Sequence, residues 1–284
     1  MIRLAKDEDH PQLKALWRKA FGDSAESLEY YFKNRHRNRY MLVDADGDQI
    51  TGMLTMLPVR LAFGGEVRNG RYIYAVATAS GYRGQGISSR LLQECHSRMK
   101  DNGETAAVLV PSSVSLFSFY EKRGYETVFF IDSITYNSSE LPPLPQDAVC
   151  TPCTLPDFSR LRENAFSGSS LFVKWSDEAL AYVSSAAWAW GDGIYHFRTK
   201  SGEGYAVCGW MGRKIIVREL ALIQMEIPEA VSILHHTLGA EKYLLRLPAG
   251  SLQESVPQPF GMIHYLEDPP VLQGRPPYLS LVLD

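Results

Sequence analysis

Arg83-Gly84-Gln85-Gly86-Ile87-Ser88 is the segment that most restricts what this chain can fold into. Before it, Arg71–Thr78 (RYIYAVAT) is dense in β-branched and aromatic residues and reads as a strand. After it, Ile87, Leu91, Leu92, Cys95 and Met99 recur at helical spacing, and Gly103 closes the run. Glycines at a strand-to-helix junction let the backbone come close to a ligand. The free N–H groups of the first helical turn then point at that ligand, and the helix dipole adds a partial positive charge. Arg83 adds a full one. The segment is therefore predicted to hold a phosphate. A P-loop needs Gly-Lys-Ser/Thr after its glycines, which is absent, and a dinucleotide fingerprint needs Gly or Ala where Ser89 stands.

The residues that follow narrow the choice. Thr105–Pro111 reads as a short buried strand and Ser115–Arg123 as a short helix. Tyr120-Glu121-Lys122-Arg123-Gly124-Tyr125 then leads into a strand over Thr127–Tyr136. The loop resembles the Gln/Arg-x-x-Gly-x-Gly/Ala motif of the GNAT superfamily of N-acetyltransferases, with Ser88 in place of the last Gly or Ala. The second segment is similar to the family's Tyr-Glu-Lys-x-Gly-Phe/Tyr. The resemblance covers roughly residues 2–137. It implies the GNAT acyl-CoA N-acyltransferase fold, a mixed twisted α/β sheet flanked by helices, with acetyl-CoA as cosubstrate. It further implies transfer of the acetyl group to a primary amine of a small molecule or peptide by direct attack in a ternary complex.

By the same resemblance Arg83, Gly84, Gln85, Gly86, Ile87 and Ser88 hold the pyrophosphate. The backbone N–H of Val76 meets the thioester carbonyl, and Tyr120 protonates the leaving thiolate as general acid. Ser113 stands where the family often has Asn, and is counted with the coenzyme-binding residues. Helix-borne Glu26 and Glu29 are candidate bases, with Glu29 preferred. The carboxylate of Asp284 is a further candidate by analogy with Eis-type tandem GNAT proteins, but the role is not carried over. An alkylammonium, with a pKa of roughly 10, must lose a proton before it attacks. Cys95 lies on the apolar stripe of its helix, where cysteines are structural.

At 284 residues the chain exceeds one such domain. Ser138–Pro156 is rich in proline and lacks periodicity. The expected organisation is a GNAT domain over 1–140, a linker over 141–154 and a degenerate GNAT-like α/β domain over 155–284, resembling a shortened Eis-type protein. The repeat rests on element order. Asp157–Phe166 and Ser176–Ser185 echo the first two helices, and Ser176 is a plausible N-cap. Hairpins around Asp46-Gly47-Asp48 and Ser201-Gly202-Glu203 correspond, as do the strands Arg71–Thr78 and Lys214–Leu222. No glycine loop precedes the helix near Glu229–Leu238, so the second half should not bind coenzyme A in the same way. Trp188-Ala-Trp190-Gly191 admits two readings: the wall of an acceptor pocket, or core, the favoured place for tryptophan.

A net charge of −3 argues against a nucleic-acid partner. No apolar run approaches a membrane span, and MIRLAKDEDH has no apolar signal core, so a cytoplasmic location is expected. Cys150-Thr-Pro-Cys153 lacks the further ligands that zinc requires, and His235-His236 lacks ligand spacing, so no metal is expected. Rival readings are transfer of another acyl group, transfer to a hydroxyl, an acyl-CoA-binding regulatory module without turnover, and a structural interaction protein.

Overall fold

The computed structural model describes residues 1–281; Asp284 lies outside them. The chain opens with β1 (Ile2–Leu4), α1 (His10–Phe21) and α2 (Ala25–Asn34). Both helices are fixed at their ends by short-range chemistry. Gly22 ends α1 in the left-handed region (φ 82°), with its N–H on the Arg18 carbonyl. Ser24 caps α2 by accepting from the Ser27 N–H. Leu13, Leu16 and Trp17 of α1 and Leu28, Tyr31 and Phe32 of α2 form the buried faces. Trp17 stacks edge-on against Tyr74 and its indole N–H donates to Asp23.

Next come β2 (Met41–Asp46), β3 (Gln49–Phe63), β4 (Glu66–Thr78), α3 (Ile87–Asp101), β5 (Ala106–Leu109) and α4 (Val114–Glu121). β1 and β2 pair antiparallel, as do β2 and β3. β4 and β5 pair parallel, but only from Gly70↔Ala106 to Tyr72↔Val108. Beyond Tyr72, β4 runs on to Thr78 without β5 beside it. Within this stretch Ala75 adopts a positive φ of 52°, rare for a residue with a Cβ. The apolar stripe of α3 (Ile87, Leu91, Leu92, Cys95, Met99) is buried with Leu54, Met56, Ile73, Leu109 and Tyr120.

The remaining elements are β6 (Glu126–Asn137), β7 (Val149–Pro152), α5 (Leu155–Phe166), β8 (Phe172–Lys174), α6 (Asp177–Ala189), β9 (Gly193–Arg198), β10 (Glu203–Met211), β11 (Lys214–Ile223), α7 (Ile227–Leu238), β12 (Lys242–Pro248) and β13 (Gln258–Tyr265). β7 pairs with β9, β9 with β10 and β10 with β11, all antiparallel; β11 pairs parallel with β12, which pairs antiparallel with β6. From β7 to β12 the order of strands and helices follows that of β1 to β5, with β8 added between the two helices. Ser176 caps α6 through the Ala179 N–H.

The compact units do not follow the proline-rich segment. One holds Met1–Leu61, Glu66–Thr127 and Gly261–Pro270; the other holds Ala62–Gly65, Val128–Phe260 and the chain from Val271 on. The division thus falls at Thr127/Val128, ahead of the 141–154 stretch, which itself contains all of β7. The reason is β13. Its Met262–Tyr265 pair antiparallel with Ala106–Leu109 of β5, so the first unit takes a strand from late in the chain. Gly124 is fitted to this arrangement. Its φ is 81°, its carbonyl accepts from His264 Nδ1 at 2.8 Å, and a Cβ there would lie 2.9 Å from that nitrogen. His264 stacks on His96 at 4.1 Å, and burial pushes the His96 imidazole down to about 3, keeping it neutral.

Three tryptophans correct the sequence expectation. Trp175 is buried, its indole N–H donating to the Leu281 carbonyl, but Trp188, Trp190 and Trp210 are each more than two-fifths exposed. Trp188 sits in the last turn of α6 and Trp190 at its C-cap, while Trp210 lies near the β10–β11 turn. These positions lie past the buried stretches of their elements, so none of the three is a core residue. Among the described residues no helix is long and apolar enough to cross a membrane.

Candidate active site

The site is built where β4 runs past its pairing with β5. A cavity of about 480 Å³ is lined by Val76, Ala77 and Thr78 of β4, by Tyr82, Arg83, Gly84 and Gly86, and by Ile87, Ser88 and Ser89 of α3. Its remaining wall is Ser112, Leu116, Phe119, Tyr120 and Arg123, with Ala20 and Phe21 from the end of α1.

Gly84 (φ 78°) and Gly86 (φ 75°) both occupy the left-handed region. A Cβ at Gly84 would meet nothing within 4 Å, and one at Gly86 only Arg90 Nη1 at 3.8 Å. Protein packing therefore does not demand these glycines. The backbone conformation does, and it leaves open space at the head of α3. Gly86 is the N-cap and has no side chain to satisfy the first turn, so the N–H groups of Ile87, Ser88 and Ser89 have no intrahelical acceptor. The first intrahelical bond is Arg90 N–H to the Gly86 carbonyl at 3.0 Å. Arg90 braces the loop from below, donating to the Gln85 carbonyl at 2.8 Å and to Asp44 at 2.9 Å. Unpaired N–H groups, a dipole end and Arg83 fit a multiply charged phosphate.

Of the residues expected from the sequence, Val76, Arg83, Gly84, Gly86, Ile87, Ser88 and Tyr120 come together around this cavity. Gln85 serves through its carbonyl and does not line it. Ser113 is the N-cap residue of α4, its hydroxyl 3.1 Å from that of Ser115, and it too lies outside the lining. Glu29 is exposed on α2, paired with Lys14 Nζ at 2.6 Å, and is not a lining residue. Glu26 is fully exposed, and its carboxyl is held below the usual range by hydrogen bonds at the start of α2. Cys95 is buried, and burial pushes its thiol up to about 12. Cys150 and Cys153 are free, and among the described residues no three His, Cys, Asp or Glu side chains gather as a metal site.

Tyr120 is almost fully buried, and burial pushes its phenol up to about 12, with the nearby Arg123 charge acting against that rise. It therefore stays protonated. Thr78, Ser89 and Arg123 are among the lining residues that were not anticipated. Thr78 Oγ1 lies 2.9 Å from Ser88 Oγ, joining the end of β4 to α3. Arg123 donates to Ser89 Oγ from both Nε (2.9 Å) and Nη2 (2.6 Å), and its guanidinium carbon sits 3.4 Å from the Phe119 ring centroid. Arg123 fills the unspecified position of the Tyr-Glu-Lys-x-Gly motif, so only its charge beside Tyr120 could have flagged it.

Residues 1–128 match the family model described as acetyltransferase (GNAT) domain. No curated protein matches the chain. Among solved structures, a probable N-acyltransferase from Enterococcus faecalis, itself described as a conserved protein of unknown function, superposes with a TM-score of 0.75 at 17% identity. The match covers 94% of this chain and 72% of that one. A GCN5-related N-acetyltransferase from Anabaena variabilis gives 0.74 at 18% identity, covering 94% and 73%. Eis1 from Mycobacterium abscessus gives 0.69 at 12% identity, covering 94% and 74%.

Proposed function

Since residues 1–128 belong to the GNAT acetyltransferase family and the chain is an acyltransferase, we propose that it moves an acetyl group from acetyl-CoA to a primary amine. The observation that carries this reading is a single cavity bounded by both the uncapped head of α3 and Tyr120. Acetyl-CoA, when bound, supplies an activated acyl group and a thiol leaving group. The α3 head, Arg83 and the Gly84–Gly86 backbone would hold its pyrophosphate. The N–H of Val76, on the stretch of β4 beyond its pairing with β5, would meet the charge that develops on the thioester oxygen as the amine attacks.

Tyr120 has a defined energetic role. Handing its proton outright to a thiolate whose acid has a pKa of about 8.5 would be uphill by roughly 5 kcal/mol from a phenol near 12. Tyr120 therefore acts as the hydrogen-bond donor that steadies the sulfur while the carbon–sulfur bond breaks. Tyr120→Phe should lower kcat by roughly 10- to 100-fold and leave KM for acetyl-CoA within about twofold. The readout is thiol release over a panel of aminoglycosides, polyamines, amino acids and peptide N-termini. An unchanged kcat in a folded variant removes Tyr120 from the chemistry.

Glu29 remains the proposed base only at the cost of releasing Lys14. Its place outside the cavity lining favours a second reading, a module that binds acyl-CoA without turnover. Coenzyme A binding by calorimetry, with no thiol release across the panel, would select that reading.

A further inference from the structure

Arg123 is the one cation in the cavity wall that the loop motif does not account for. It follows α4, and its own N–H bonds to the Tyr120 carbonyl at 2.8 Å. Two of its guanidinium nitrogens reach across to Ser89 Oγ, and the third donates to the Phe119 carbonyl. Its plane covers the Phe119 ring. Ser89 is the third residue of α3, in the turn whose N–H groups lack intrahelical acceptors. Arg123 thus grips two separate pieces of the site: the phosphate-facing turn of α3 and the last turn of α4, which carries Tyr120. These bonds and the ring contact use the flat guanidinium fork, a geometry that a lysine cannot reproduce.

We propose that Arg123 is a positioning residue that couples coenzyme binding at the head of α3 to the placement of Tyr120 against the leaving sulfur. The proposal rests on the acetyl-CoA reading above. Its charge adds to the field that holds the pyrophosphate, and its bonds to Ser89 and the Phe119 carbonyl set α4 in register with α3. Affinity and turnover therefore both pass through Arg123, but only turnover passes through Tyr120.

The test is a double-substitution cycle on the full chain, read by calorimetry with coenzyme A and by thiol release. Arg123→Gln should weaken the coenzyme A dissociation constant on the order of tenfold and lower kcat on the order of tenfold. Combined with Tyr120→Phe, kcat should fall no more than about twofold below that of Tyr120→Phe alone, because the two act as one unit. The loss in affinity should be the same with or without Tyr120. Arg123→Lys should restore most of the affinity and little of kcat. Ser89→Ala removes the same grip from the other side. It should lower kcat with a smaller effect on affinity, and it serves if Arg123→Gln does not fold. Losses in kcat that multiply across the cycle, or an unchanged dissociation constant, overturn the coupling. A wild-type chain that neither binds coenzyme A nor releases thiol defeats the acetyl-CoA reading itself, and the role of Arg123 falls with it. Affinity loss with kcat coupling absent defeats the Arg123 proposal alone.

Discussion

α3 and α7 start from the same kind of junction and have opposite chemistry. Each follows a long strand whose parallel pairing stops partway: β4 parts from β5 after Tyr72↔Val108, and β11 from β12 after Val217↔Leu245. Each strand has an irregularity just beyond, at Ala75 in β4 and at the register shift around Arg218 in β11. Neither helix has a side-chain cap, and the first junction then supplies Arg83 and two left-handed glycines. The second supplies Gln224 (φ 54°), Glu226 as N-cap residue, Pro228 at the start of the helix and Glu229 in its first turn. Proline removes an N–H, and the carboxylates answer the dipole that a phosphate would otherwise meet. The sites beyond the irregularities differ as sharply. Val76 lines a cavity, whereas Glu219 is fully buried and saturated by Arg162, Tyr205 and Tyr278. The same strand-and-helix frame gives an open cavity in one unit and a closed polar core in the other.

The largest effect should come from cutting the chain where the sequence suggests a boundary. Residues 1–140 alone lack β13, so β5 loses its antiparallel partner and Gly124 and His96 lose His264. An open central edge in a small unit invites association. This fragment should fail to show a cooperative thermal transition and should aggregate. A soluble fragment with a sharp transition would mean that β13 is dispensable to the first unit.

Glu219→Ala comes next. It leaves the Arg162 guanidinium buried without its anion, at a cost of about 3–5 kcal/mol in the stability of the full chain. Glu219→Gln, which keeps an acceptor for the tyrosines, should cost less. Urea denaturation of the three proteins checks the order. A loss below about 1 kcal/mol for the alanine variant would mean that the network is not what closes the second unit.

Gly86→Val strikes the opposite member of the pair. The left-handed backbone opposes a β-branched side chain, and the added bulk enters the open space at the head of α3. Coenzyme A affinity should drop roughly 100-fold, about 2.7 kcal/mol, with a smaller loss of stability. Calorimetry and thermal melting on the same sample separate the two. Binding within threefold of wild type would remove the glycine loop from the phosphate site.

These expectations also show which parts of the molecule were legible in the sequence. The stretch from β4 to α4 was readable because its signals are local: glycine pairs, helical spacing and a six-residue motif. β13 was not, because the partner of Leu109 is Met262, and nothing near either residue announces the other. β7 was hidden by composition, since a four-residue edge strand tolerates the proline at its end. The exposed tryptophans misled because average burial says little about a residue at a helix end or beside a hairpin turn. Arg123 escaped because a motif records backbone spacing, and its contact with Ser89 is made across the fold.

The smallest effect is the most specific. Ala75 holds φ at 52° inside β4, which costs a residue with a Cβ about 1 kcal/mol relative to glycine. Ala75→Gly removes that cost but loosens the unfolded chain, which takes back roughly half of the gain. The net should be a stabilisation of about 0.5 kcal/mol, readable as a small rise in Tm. The catalytic consequence has the opposite sign. If the left-handed turn at Ala75 aims the Val76 N–H into the cavity, glycine permits that orientation without enforcing it. Then kcat should fall about two- to threefold while coenzyme A affinity, set at the head of α3, stays put. A variant that is more stable and equally active would show that the turn shapes the strand and not the chemistry. It would also sever the comparison with β11, where the irregularity at Arg218 precedes a buried carboxylate.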